Sequence, residues 1–240
     1  MNISDLPRLM QCRPSVDLAS IAPKFDRPES ESRRESEAAR YALALALGNP
    51  SGGVDLIGMT CANGYIVDVD MADRLKKIEA HIRDRDPEAS LHPYAKIDWS
   101  IQTGNSDHTV FSGIADCVAW NATNRTMYID ELKYGYRLAE VENNYQLIGY
   151  AIGAMMRYGH IPDRVVMTIF QPRTWHPDGP IRTWVIDRQT LADARLAIVH
   201  RFAEPPTSCR TGRECYGCAA AGVCPSIAAA ASAAIEFGMD

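Results

Sequence analysis

The stretch from Gly113 to Tyr150 decides the reading: GIADCVAWNATNRTMYIDELKYGYRLAEVENNYQLIGY. Its first half has the composition of strands. Thr109–Trp120 and Thr126–Leu132 are rich in β-branched and aromatic residues, and Asn121–Arg125 between them carries turn chemistry, so a hairpin is expected. Its second half, Val141–Tyr158, changes to helical spacing, with Leu147, Tyr150, Ala151, Ala154 and Met155 on one face. Consecutive antiparallel strands can set Asp116 near Glu131. Glu131 and Lys133 are two residues apart and project from one face of their strand, while Asp130 points to the other. Gln146 and Tyr150 are four apart and share a helix face.

These residue types suit phosphodiester hydrolysis. Two carboxylates, Asp116 and Glu131, can hold Mg²⁺ or Mn²⁺, with the Leu132 carbonyl as a further ligand. Such an ion activates water and neutralises charge growing on the phosphate. Lys133 can orient the water or stabilise the transition-state oxyanion. Gln146 and Tyr150 face the same end of the sheet and can hold a phosphate or a base, and Gly113 permits close backbone approach. Acid-x-Lys on a strand is common on solvated faces. The weight here comes from the order Gly-x-x-Asp, Glu-x-Lys, Gln-x-x-x-Tyr.

Working outward, Glu29–Leu47 and Met71–Arg85 have helical composition and spacing. Short extended pieces are expected at Val54–Met59 and Tyr65–Val69. Residues 1–28 are expected to be irregular, broken by Pro7, Pro14, Pro23 and Pro28. Ala95–Ile101 adds a strand before the hairpin. Arg164–Phe170 has a continuous apolar core, as a strand covered on both faces would. Ile181–Ile186 is another strand, Gln189–Phe202 a helix, and Ser226–Phe237 an alanine-rich closing helix. The order helix, helix, three strands, helix, two strands, helix predicts an α/β fold with a mixed sheet flanked by helices, in one domain spanning 1–240.

The chain is 46% hydrophobic and 23% charged, with a formal net charge of −5. That charge excludes a protein that coats nucleic acid through bulk positive potential, but not a nuclease whose site needs carboxylates. No apolar run is long enough to span a bilayer and Met1–Met10 lacks the apolar core of a secretory signal, so a cytoplasmic location is expected.

Seven cysteines are present, an odd number that argues against a disulfide framework. Four of them, Cys209, Cys215, Cys218 and Cys224, crowd one segment. Cys215-x-x-Cys218 lets two sulfurs reach one metal from a single turn, and Cys224 adds a third thiolate. The fourth ligand is either Cys12, far away in sequence, or the local Cys209. Zinc sites usually show two such knuckles and this chain has one, which favours an iron–sulfur cluster over a structural Zn²⁺. Cys61 and Cys117 read as small core residues.

Taken together, these motifs resemble the RecB-like exonucleases of the PD-(D/E)XK superfamily. The runs Ile129–Gly135 and Asn144–Ala151, with the later Gln171-Pro172-Arg173, look closest to a phage and prophage subgroup. The likeness extends from Cys12 to Pro225, through motifs that are specific only in combination. It implies a restriction-endonuclease-like core and a metal-dependent DNA exonuclease acting in phage recombination or DNA processing in the bacterial host cytoplasm. Asp116, Glu131 and Leu132 would bind Mg²⁺ or Mn²⁺, Lys133 would assist the water, and Gln146 and Tyr150 would touch DNA or order the site. It also implies a 4Fe-4S cluster on Cys12, Cys215, Cys218 and Cys224, joining the N-terminal segment to the cysteine segment 209–225. The implied partners are DNA, single-stranded or with free ends, and a phage annealing protein. One departure stands out. The family often carries a metal-binding histidine in a Gly-x-x-x-His pattern, and the matching stretch here is Ser36-Glu37-Ala38-Ala39-Arg40. Arg40 cannot ligate a cation, so Glu37, or Glu35, is the substitute ligand to test. Without one, the chain would be a weakened or inactive nuclease fold that binds DNA or protein. An iron–sulfur redox protein ranks last, since nothing resembles a flavin or nicotinamide site. Arg33, Arg34, Arg40, Arg137 and Arg173 are candidates for a phosphate track, and Trp99, Trp120, Trp175 and Trp184 for base stacking.

Overall fold

In the computed structural model, residues 1–23, 30–102, 108–204 and 209–237 are described. Helices α1 (Leu6–Gln11), α2 (Ser15–Ile21), α3 (Glu31–Gly48) and α4 (Val69–Asp84) lead into the meander β1 (Ser90–Gln102), β2 (His108–Asn121) and β3 (Thr126–Leu132). Then follow α5 (Tyr145–Tyr158), β4 (Arg164–Phe170), β5 (Ile181–Asp187), α6 (Arg188–Ala203) and α7 (Pro225–Phe237). The five strands form one sheet in sequence order, antiparallel except for the parallel pair β3–β4. That parallel pair needs a crossover, and α5 supplies it. The result is the expected mixed α/β arrangement, a mixed five-stranded sheet flanked by helices.

Both faces of the sheet are covered. On one, Ile97, Phe111, Ile129, Met167 and Ile186 pack against α1, α5 and α6. On the other, Cys117, Leu132 and Phe170 pack against Ala42 and Leu43 of α3 and Leu75 and Ile78 of α4. Every residue of β3 is buried, which explains why its polar residues must find partners inside the protein.

Three expectations change. Residues 1–23 are not irregular: a 3₁₀ turn at Ile3–Asp5 is followed by α1 and α2. Pro7 occupies the first turn of α1 and Pro14 the N-cap of α2. Proline starts helices there because the N–H it lacks would go unused. Ile3, Leu6 and Leu9 are fully buried, each worth about 1.5–3 kcal/mol, and they pin this segment to α5. Val54–Met59 and Tyr65–Val69 form a loop held by the bridge Thr60–Ile66 and by Gly58 N to Val67 O, Val67 N to Met59 O and Cys61 N to Tyr65 O, and Val69 already belongs to α4, because the Asp68 side chain caps Met71 N. Helix α5 begins at Tyr145 rather than Val141, because the Asn144 side chain accepts from Gln146 N and Leu147 N. Helix α3 begins at Glu31, where Ser30 caps it. The expected start of that helix at Glu29, together with Pro28, lies outside the described residues.

Glycine fixes how closely α5 approaches the sheet. A Cβ on Gly153 would overlap Ile97 Cγ2 and lie 2.7 Å from Trp99 Cδ1. Gly153→Ala should therefore lower stability by about 1–3 kcal/mol. Gly48→Ala, at the open end of α3 with nothing within 4 Å, should raise it by up to about 1 kcal/mol. Urea denaturation of both variants checks the opposite signs.

Candidate active site

The site is built where the β2–β3 ladder stops. Backbone pairing of the two strands ends at Cys117–Asp130. Just before it, the inward alternation of β2 slips: Ala115 and Val118, three apart, both enter the α5-side core, while Cys117 faces α3 and α4. Asp116 and the opposite Tyr94, which has φ 51°, are skipped in the β1–β2 ladder. Irregularities of this kind re-aim side chains beside functional sites. The re-aimed Asp116 carboxylate takes over the ladder's next donor: its Oδ2 accepts Leu132 N at 2.7 Å. Lys133 N goes instead to Phe170 O, so β3 stays with β4 while β2 diverges.

Glu131 sits beside this opening. Its Oε1 accepts from Lys133 Nζ at 2.8 Å and from Gln146 Nε2 at 3.0 Å. Lys133 also donates to Gln146 Oε1 at 2.7 Å, and Gln146 Nε2 lies 3.4 Å from Tyr150 OH. The second oxygen, Glu131 Oε2, is buried with no hydrogen-bond partner among the described residues. Gly113 allows Tyr150 against β2, since a Cβ there would lie 3.0 Å from the Tyr150 ring. Glu131, Lys133, Gln146 and Tyr150 therefore form one hydrogen-bonded group, with Asp116 beside it, and Asp130 faces away into a two-pronged pair with Arg85 at 2.5 and 2.7 Å.

The early helix contributes a different residue from the one expected. Glu37 is not brought to this group. It is bound to Arg33 at 3.1 Å and borders a separate cavity with Tyr41 and Cys61. Glu35 is held by Arg173 and lies 3.3 Å from Tyr65 OH. One turn along α3 from Glu37, Arg40 reaches in: its Nε donates to Asp116 Oδ1 at 2.5 Å and its Nη2 to Ile114 O at 3.1 Å.

Asp116 and Glu131 are each 2% exposed. Burial, and then the charge of Glu131, push the Asp116 carboxyl up to about 7, against the pull of Arg40 and of the Leu132 N–H. Burial, and then Glu131, also hold the Tyr150 phenol well above its ordinary value, so it stays neutral. Burial works against the charge on Arg40, but Asp116 and Glu131 more than offset it and keep the guanidinium protonated.

A cavity of about 580 Å³ opens on this group. Its floor includes Glu131, Leu132, Lys133 and Gln146, and its walls include Arg40, Ser4 and Pro7 of the N-terminal segment, and Arg213 and Glu214 of the cysteine segment. A second cavity of about 520 Å³, lined by Lys96, Asp98, Gly113 and Tyr150, shares Ser4, Arg40 and Gln146 with the first. The sequence reading missed the two outer walls. The signal available for the first was the spacing of Ile3, Leu6 and Leu9; none was available for Arg213. Of the tryptophans, Trp175 is exposed and Trp99 is buried against Phe111. Trp120 stacks on His160 and Trp184 is half-buried.

Five of the cysteines meet elsewhere. Cys12, at the C-terminal end of α1, lines one small cavity with Cys209, Cys215, Cys218 and Cys224. Cys218 N donates to Cys215 O at 3.1 Å, and the turn between them passes through Gly217 with φ 74°. Both candidates for the fourth ligand, Cys12 and Cys209, are thus at hand. Burial, and then the neighbouring Cys12 and Cys224 sulfurs, push the Cys209 thiol up to about 12. Cys61 and Cys117 are buried apart from this group. Among the described residues, no three His, Cys, Asp or Glu side chains stand in an arrangement that would grip a single ion as they lie. No helix among them is long and apolar enough to cross a membrane.

Fold and site together define a mixed α/β protein with a buried carboxylate–lysine centre and a separate thiol centre. The family model described as "Protein of unknown function (DUF2800)" matches residues 2–239, and the chain belongs to that family. No curated protein matches it.

The raised Asp116 carboxyl has a consequence for stability. A carboxyl whose folded pKa lies above its unfolded value of 3.8 contributes stability fully present below that value and lost as pH rises through about 7. In EDTA, the stability of the wild type should fall relative to Asp116→Asn between pH 4 and 7, by on the order of a few kcal/mol. Thermal melts of both proteins across that range provide the measurement, and parallel curves would contradict it.

Proposed function

We propose that this chain is a metal-dependent deoxyribonuclease of the RecB-like PD-(D/E)XK type, an exonuclease of phage recombination or DNA processing working in the cytoplasm. The observation that carries the reading is Glu131 Oε2, a buried carboxylate oxygen without a partner, beside a second buried carboxylate and a lysine. A buried acceptor oxygen left without a hydrogen-bond partner is costly, and a divalent cation would satisfy it. The donor chemistry fits Mg²⁺ or Mn²⁺: hard oxygens from Glu131, which with Leu132 lines the cavity, and from Asp116, buried just behind it against Leu132 N. When bound, the cation supplies positive charge to the scissile phosphate and acidifies a water molecule.

The protein's own groups do the rest. Lys133, held between Glu131 and Gln146, is fixed to orient the attacking water and to meet charge growing on the phosphate. Gln146 locks the Glu131 carboxylate in place, and Tyr150, kept neutral, offers a hydroxyl to DNA from the second cavity. The thiol centre suits a 4Fe-4S cluster on Cys215, Cys218, Cys224 and either Cys12 or Cys209, with structural Zn²⁺ as the alternative. DNA with single-stranded or free ends is the proposed substrate, and a phage annealing protein the proposed partner. A second reading, a nuclease fold that binds DNA without cutting it, is favoured by one observation: Arg40 already pairs with Asp116.

End-labelled single- and double-stranded DNA should be degraded in Mn²⁺. Lys133→Ala should reduce the rate by about 10²–10³-fold or more, and Asp116→Ala should abolish it. Full activity in both variants would remove the assignment, and binding without cleavage in any divalent metal would select the second reading. Anaerobic purification should give a brown protein whose colour and iron are lost in Cys215→Ser. A colourless, zinc-containing protein would select the structural Zn²⁺.

A further inference from the structure

Arg40 stands at the mouth of the carboxylate centre. Its side chain is 32% exposed, whereas that of its partner Asp116 is 1% exposed. It borders all the cavities that meet at this point: the one over Glu131 and Lys133, the one over Gly113 and Tyr150, and the one beside Glu37. Two contacts fix it, Nε to Asp116 Oδ1 and Nη2 to Ile114 O. A guanidinium has five N–H donors in a rigid fork and no acceptor, so further donors remain for a ligand in the groove. It carries a permanent charge and matches phosphate geometry.

Two cations cannot share one face of the same carboxylate oxygen at short range without strong repulsion. Asp116 Oδ2 is occupied by Leu132 N and Oδ1 by Arg40, while the unpartnered oxygen belongs to Glu131. We propose that Arg40 is a resident cation of the active site. Its guanidinium takes the position on Asp116 that a second divalent ion would need, leaving the site to a single ion held mainly from the Glu131 side, and the part facing the groove receives an oxygen of the substrate phosphate. The proposal rests on the nuclease reading and adds to it the number of metal ions and a phosphate contact.

The test separates the two. Mn²⁺ is titrated into full-length wild type and Arg40→Gln at pH 8.5, followed by electron paramagnetic resonance, counting only ions lost in Glu131→Gln. Wild type should bind one ion per chain. Arg40→Gln should bind Mn²⁺ about tenfold more tightly, because a competing charge is gone, while its affinity for single-stranded oligothymidylate, measured by fluorescence anisotropy in EDTA, should fall about tenfold. An arginine that only supports the fold would, on removal, weaken both affinities together instead of moving them in opposite directions. Should Arg40→Gln fail to fold, Arg40→Lys carries the same measurements. Its ammonium keeps the charge but loses the planar fork of the guanidinium, so smaller shifts in the same two directions are expected. Two ions per chain in the wild type, or unchanged metal and DNA affinities in the variant, would overturn the role given to Arg40 and leave the nuclease reading standing. No Mn²⁺ bound by either protein would overturn both.

Discussion

The hydrogen bond from Leu132 N to Asp116 Oδ2 is the constraint on which the rest of the site depends. A strand that leaves its neighbour exposes a row of backbone donors, and a buried donor without a partner costs about 1–3 kcal/mol. Here β2 leaves β3 after Cys117–Asp130, and a side chain rather than a backbone carbonyl satisfies the next N–H. The separation of the strands is thereby stabilised, and a carboxylate is fixed in the gap. Glu131 on the adjoining strand is forced into its company, and the arrangement persists only because Arg40, Lys133 and Gln146 close around the two acids. The buried face behind it is held independently by Asp130 and Arg85.

The second centre is tied mechanically to the first. Helix α1 spans the distance: its Pro7 end borders the groove and its Cys12 end borders the thiol cavity. Arg213, one residue before Glu214 and two before Cys215, donates to Leu138 O at 2.7 Å and so fixes the loop that forms the groove's far wall. Arg137 of that loop stacks over Tyr216 and reaches Glu214 at 3.7 Å. Each of these exposed contacts is weak alone. Their common effect is that the shape of the groove follows the conformation of the cysteine segment.

Much of this was legible in the sequence, for physical reasons. The proximity of Asp116 to Glu131 follows from two consecutive strands and a short turn, and the shared face of Glu131 and Lys133 follows from strand periodicity. Gln146 and Tyr150 could be placed together because they lie one turn apart on a helix that follows directly. These are local relations. The ion pair of Arg40 with Asp116 spans 76 positions and depends on how α3 lies across the sheet, which no local pattern states. Hence Glu37, one turn away and of the right chemistry, was the expected ligand, although its side chain turns to Arg33 instead. The irregularity at Asp116 leaves no compositional trace, and the two N-terminal helices were obscured by prolines that initiate structure rather than interrupt it.

The route of α1 also sets an order of assembly. The segment bearing Cys12 is made early, but the residues that clasp it, Arg201, Glu204, Arg210 and Glu214, come about two hundred positions later. A nascent chain can complete its sheet and bring the acids together while the groove still lacks a wall. The wall of the groove therefore arrives last during synthesis, after the two acids have been brought together.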